Sequence, residues 1–128
     1  MRVKRSGKQN KPSDIKKLID GIIKFRDARD WKQFHNPKDV AISLSLEASE
    51  LMEHFQWKNK EEIEEHIKNH KEEISDELAD VLYWVLLMSG DMKIDIVKAF
   101  NRKMKKNAQK YPVSKAKGKH LKYTEYTK

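Results

Sequence analysis

The chain has no cysteine. Disulfides and thiolate zinc centres are therefore excluded, and the composition suits a reducing cytoplasm. No window approaches the roughly 20 apolar residues of a membrane span, and the basic opening MRVKRSGKQNK is followed by no apolar run of signal-peptide length. No membrane partner is expected, and a cytoplasmic protein is. Alternating Val, Ile and Thr runs between turns are also missing, so nothing argues for strands. What remains is a chain of 128 residues, one domain by length, with 38% hydrophobic residues and hence a modest core that oligomerisation would help.

Charge is abundant but uneven. The net charge is +8; residues 1–12 carry five Lys/Arg and no acid, and residues 98–128 carry eleven against Glu125 alone. The middle is acidic. A basic end can meet nucleic acid or a small polyphosphate, and the acidic centre argues against a simple nucleic-acid clamp. A nucleic-acid-binding helical module using the basic C-terminal segment is the alternative to an enzyme.

Residues 1–12 read as a disordered basic tail. Ser13 or Asp14 caps a first amphipathic helix running through Ile15, Leu18, Ile19, Ile22 and Phe25 to about Asp30. Asn36 and Pro37 open a second helix that continues to about Trp57. Asn59 with Glu62 predicts a capping box and a short charged helix to about His70. A third core helix is expected over Lys71–Ser89 with Gly90 as a left-handed stop, and a fourth from Asp95 to Pro112. Residues 113–128 show no amphipathic period and read as a lysine-rich tail. The predicted architecture is an all-α bundle of four main helices and a short fifth over residues 13–112.

Two acidic pairs organise this pattern. In the second helix Val40, Leu44, Ala48, Leu51 and Phe55 make an apolar stripe with Glu47 and Glu50 on its edge. In the third, Ile74, Leu78, Val81, Val85 and Met88 make the stripe, and Glu77 and Asp80 fall on its flank. The windows EASELMEHF and ELADVLYWV superpose acid on acid. If the stripes pack together, four carboxylates converge at the rim of one core, where their mutual repulsion calls for a cation. Oxygen-only donors suit Mg²⁺, with Mn²⁺ as a substitute, and Mg²⁺ held by carboxylates commonly bridges to substrate phosphates. A carboxylate-bridged di-iron bundle would need Glu-x-x-His, whereas Glu47 and Glu77 are followed at the third place by Glu50 and Asp80. Glu53, Glu61, Glu62, Glu64, Glu65 and Glu72 lie in solvent-type runs.

The residues Arg29-Asp30-Trp31-x-x-Phe34-His35-x-Pro37, Leu46-Glu47-x-x-Glu50-Leu51, Phe55-Gln56-Trp57, Glu77-Leu78-Ala79-Asp80-Val81-Leu82 and Lys103-x-x-x-Asn107-x-x-x-Tyr111-Pro112 occur in this order. In them the chain resembles the MazG-like nucleotide pyrophosphohydrolases, most nearly the dCTP pyrophosphatase type, over about residues 25–126. The resemblance implies an all-α homo-oligomer, dimer or tetramer. The implied reaction is Mg²⁺-dependent hydrolysis of nucleoside triphosphates between the α and β phosphates, giving monophosphate and pyrophosphate. It implies Glu47, Glu50, Glu77 and Asp80 as the metal set, and Lys103, Asn107 and Tyr111 near the phosphates. Glu50 is the carboxylate assigned to take a proton from water. The base needs aromatic partners: Trp31 and Trp57, at the two ends of the second helix, Trp84, on the flank of Glu77 and Asp80, and His35 as a hydrogen-bonding or structural residue are the candidates. His54, one turn from Glu50, reads as a neighbour rather than a ligand.

Overall fold

The computed structural model describes residues 12–127; apart from Pro12, the basic tail lies outside them. All regular structure among them is helical: α1 Asp14–Asp27, α2 Pro37–Glu53, α3 Lys60–Asn69, α4 Lys71–Asp91, α5 Ile96–Lys110 and the single turn α6 Val113–Ala116, with 3₁₀ turns at Lys32–Phe34 and Tyr123–Glu125. None of these helices is long and apolar enough to cross a membrane.

Helix starts follow from local chemistry. The side chains of Ser13, Asn36 and Asp95 accept from the backbone N–H groups of Lys16, Asp39 and Lys98, and Asn59 and Glu62 close a reciprocal capping box. Each satisfies a donor that the first helical turn leaves without an intrahelical partner. Helix ends differ from the sequence reading. α1 stops at Asp27 and α2 at Glu53, and the left-handed residues Asp30 and Trp57 follow them. Gly90 is not a stop. It lies inside α4, where a Cβ would come within 2.9 Å of Ile19 Cγ2, so the absent side chain admits α1. The left-handed turn falls instead on Lys93, φ 54°.

The described residues form two units, one up to Lys93 and one from Ile94. In the first, α4 is central, packed by α2, α1 and α3. Its C-terminal half, Val81 to Met88, is apolar nearly all round, as a helix with neighbours on several sides must be. Leu87 is fully buried, Leu86 2% exposed and Val40 3% exposed, each contributing roughly 1.5–3 kcal/mol by leaving water. Arg26 of α1 is equally enclosed, its Nη1 donating to both Asp91 oxygens at 2.7 and 2.6 Å, which fastens α1 to the end of α4. Val40 shares a cavity wall with Met88 and Asp91, whereas Glu50 and His54 share one with Glu77, so α2 and α4 run antiparallel.

The apolar stripes are not those of the sequence reading. Ala48 is exposed and Leu78 is 53% exposed. The inward positions one residue earlier belong to Glu47 and Glu77, in line with Val40, Leu44 and Leu51 on α2 and with Ile74, Val81 and Met88 on α4. Spacings of 3.6 residues permit either choice, and packing places the acids within the stripe rather than on its edge.

In the second unit α5 leads into α6 and the last 3₁₀ turn, which close on Tyr111. The Tyr111 ring stands edge-on to Tyr123 at 5.8 Å and to Tyr126 at 6.1 Å, and Lys110 Nζ lies 4.9 Å from the Tyr123 ring centre. Aromatic contacts, not an amphipathic period, shape residues 113–127.

Candidate metal centre

Because α2 and α4 are antiparallel and both turn a glutamate inward, the two acidic pairs meet. Glu47, Glu77 and Asp80 each bring a carboxylate oxygen within 4.8 Å of the others. Glu50, more exposed at the rim, lies within hydrogen-bonding reach of Glu47 and Glu77. Three of the four acids that the sequence paired thus share one point, and Glu50 stands beside Glu47 and Glu77. Among the described residues, no lysine or arginine forms an ion pair with any of them.

This cluster is unstable as four free charges. Burial, then hydrogen bonding to Glu50 and the charges of Glu50, Asp80 and Glu77, pushes the Glu47 carboxyl above its ordinary range. Glu77 is raised for the same reasons, burial first, then Glu50, Asp80 and Asp76. Oε2 of Glu47 and Oε2 of Glu77 are buried with no hydrogen-bond partner. Buried acceptors are ordinarily satisfied. Two orphaned oxygens in an all-carboxylate donor set, held close against their own repulsion, fit a hard divalent cation bound through oxygen.

Two cavities open on opposite flanks of the cluster. One, of about 490 Å³, is lined by Gly21, Ile22, Phe25, Trp31, Tyr83 and Trp84 together with Glu47 and Asp80. Its aromatics brace one another edge to face: Phe25 with Trp31 at 5.7 Å, Phe25 with Tyr83 at 6.3 Å, and Tyr83 with Trp84 at 5.0 Å. The size is that of small-molecule sites, and the mix of apolar walls with a few carboxylates is typical of them. The other, of about 430 Å³, is lined by Glu50, Glu53, His54, Lys58, His66 and Glu77.

Of the aromatic candidates, Trp31 and Trp84 line the first cavity and Trp57 does not. Trp57 is 91% exposed on left-handed backbone, φ 68°. His35 stands edge-on to Trp84 at 5.4 Å and lines a separate hollow of about 130 Å³ with Val40 and Met88; its Nδ1 is buried without a partner. Lys103, Asn107 and Tyr111 lie along α5 and its end in the second unit, one helical step apart. Sequence reasoning missed Gly21, Ile22 and Phe25, whose spacing is that of ordinary core, and Lys58 and His66, which sit in a charged stretch with no distinguishing signal. At Gly21 nothing lies within 4 Å of where a Cβ would stand, so the cavity wall there is open.

Known proteins match this chain closely. The model of the MazG-like family matches residues 42–126. Rat dCTP pyrophosphatase 1 is 36% identical over 114 residues, covering 88% of this chain and 65% of the rat protein. Human dCTP pyrophosphatase 1 is 35% identical with the same coverage. The chain therefore spans just under two thirds of the length of these curated relatives. The crystal structure of a pyrophosphatase from Archaeoglobus fulgidus superposes with a TM-score of 0.72 at 41% identity, over 75% of this chain and 90% of that one.

Proposed function

The chain belongs to the MazG-like family, and from that premise we propose that it is a Mg²⁺-dependent nucleoside triphosphate pyrophosphohydrolase. It cleaves between the α and β phosphates to release monophosphate and pyrophosphate. The substrate is dCTP or a related, modified pyrimidine triphosphate, removed to keep the cytoplasmic nucleotide pool clean. The observation that carries this reading is the carboxylate cluster at the mouth of an aromatic cavity. The names of the dCTP pyrophosphatase relatives support the substrate class.

Glu47, Glu50, Glu77 and Asp80 would hold Mg²⁺, or Mn²⁺ in its place, which would supply neutralisation of phosphate charge and orientation of water. Glu50, at the rim and in reach of two other carboxylates, takes a proton from the attacking water. The water oxygen bonds to the α phosphorus, the bond from that phosphorus to the bridging oxygen breaks, and the bridging oxygen leaves with pyrophosphate. Trp31 and Trp84 sandwich the base in the aromatic cavity. His35 steadies Trp84 or meets the sugar. The family resemblance assigns Lys103, Asn107 and Tyr111 to the phosphates, Lys103 as a point charge and Asn107 as a hydrogen-bond partner of an oxygen. Trp57, too exposed to serve its own cavity, contributes to that of a neighbouring subunit in a dimer or tetramer.

The test is a panel of nucleoside triphosphates with Mg²⁺ and separation of products. Monophosphate with pyrophosphate is expected, fastest from pyrimidine deoxynucleotides. Diphosphate with phosphate, or no turnover of any triphosphate, overturns the reading.

A further inference from the structure

The acidic cluster is a partition with a chamber on each side: Glu47 and Asp80 face the aromatic cavity, and Glu50 and Glu77 face the polar one. A nucleoside triphosphate is a linear molecule. With its base among Trp31 and Trp84 and its reacting bond at the carboxylates, the β and γ phosphates extend to the far side.

The far chamber is equipped for them. Lys58, from the connection between α2 and α3, is half-buried and lines it with the one ammonium of the wall. His54, capping the end of α2, and His66 of α3 share a hydrogen bond between Nδ1 and Nε2 at 2.9 Å, which ties α3 to α2 across the chamber. His66 is held in turn by His70, whose ring stacks on it at 4.2 Å and 18°, and whose Nδ1 lies 3.2 Å from the His66 carbonyl oxygen. The His66 ring, contacted by both His54 and His70, is held in a fixed orientation on the chamber wall. The His66 imidazole sits below its ordinary pKa, through burial first and then the charges of His70, Lys58 and His54, opposed by Glu73. Glu53 is the one wall carboxylate outside the acidic cluster. Its charge disfavours a bare polyanion and selects a metal-complexed diphosphate.

The geometry points to Lys58, His54 and His66 as the subsite for the departing pyrophosphate. This rests on the proposed reaction, and it makes the enzyme a reader of triphosphate length: a monophosphate leaves the chamber empty.

The experiment is product inhibition of the full chain in Mg²⁺ by inorganic pyrophosphate and by nucleoside monophosphate, with direct calorimetric binding of pyrophosphate in Mg²⁺. Lys58 lies outside the helices, so Lys58→Ala spares the fold. It is expected to weaken pyrophosphate inhibition and binding about tenfold, the loss of one charge-assisted hydrogen bond, while monophosphate inhibition stays within about twofold. Lys58→Arg restores most of the loss, and His66→Gln weakens pyrophosphate in the same selective way. Unchanged pyrophosphate inhibition in Lys58→Ala, or equal weakening of both products, overturns the assignment. If the wild type turns over triphosphates but Lys58→Ala binds pyrophosphate normally, the subsite alone is wrong. If the wild type binds pyrophosphate through Lys58 yet hydrolyses no triphosphate, the reaction is wrong and the subsite stands.

Discussion

Replacing Asp91 with alanine strips the Arg26 guanidinium of its bidentate partner while leaving it enclosed. Arg26 is 1% exposed, and Asp27 at 3.1 Å from Nε is then its remaining counter-charge. Breaking a buried ion pair from one side costs on the order of 3–5 kcal/mol, because the orphaned charge stays desolvated. Asp27 remains and the Asp91 side chain is 29% exposed, which admits some water, so the low end applies, about 3 kcal/mol. For a domain of this length each kcal/mol moves the midpoint by about 4 °C, which gives a fall of roughly 12 °C. Asp91 holds the guanidinium above its ordinary pKa, so the arginine stays charged at neutral pH and its contribution is lost only as pH rises through that raised value. The double substitution Arg26→Met with Asp91→Leu removes both charges and fills the space, and is expected within about 1 kcal/mol of wild type. Thermal unfolding of the wild type, Asp91→Ala, Arg26→Met, Asp91→Leu and the double variant by circular dichroism decides it. A loss below about 1 kcal/mol in Asp91→Ala, or a double variant as unstable as its parts summed, refutes the claim that the pair matters through desolvation. Phe25 adjoins Arg26 and braces Trp31 and Tyr83, so the single variant should also raise KM for triphosphate more than it lowers kcat.

Glu47 and Glu77 are raised above the ordinary carboxyl range, so their contribution to metal-free stability is full below that range and is lost as pH rises through the raised values. His66, lowered, works the other way, losing stability as pH falls through its ordinary value. In chelator, the wild type should therefore gain more, or lose less, than Glu47→Gln/Glu77→Gln on moving from neutral to mildly acid pH, and equal responses count against repulsion in the cluster. Magnesium at about 100 times its dissociation constant should stabilise the wild type by about 2.7 kcal/mol and leave the double variant unmoved. Glu50→Gln should abolish turnover with helical content intact by circular dichroism; lost helicity would make its role structural. Trp57→Gly removes a left-handed strain of roughly 1–2 kcal/mol from a residue that is 91% exposed, so the midpoint should hold or rise while KM for triphosphate increases. A fall in both would place Trp57 in the fold rather than in binding.

What the sequence revealed and what it hid divide along the range of the interactions. The helix starts at Ser13, Asn36, Asn59 and Asp95 were legible because each is fixed by a side chain within three residues of the backbone it caps. The ends were less so. Gly90 stays helical because Ile19 of another helix needs the space, which no local pattern announces. The meeting of Glu47, Glu77 and Asp80 was legible from two matched registers, yet the place of the two glutamates inside the stripes was decided by packing between α2 and α4. The Arg26–Asp91 pair joins residues 65 apart, and the hydrogen bond between His54 and His66 spans a helix boundary. Neither leaves a trace in spacing.

Glu47 and Glu77 occupy positions that periodicity would give to leucine. An engineer ranking variants by melting point alone, in buffer without divalent salt, would be drawn to aliphatic replacements there and would be rewarded with a hardier, inert protein. Under the proposed metal-binding role, selection for robustness and selection for catalysis pull in opposite directions at these two sites, and any directed evolution of this scaffold should score both from the first round.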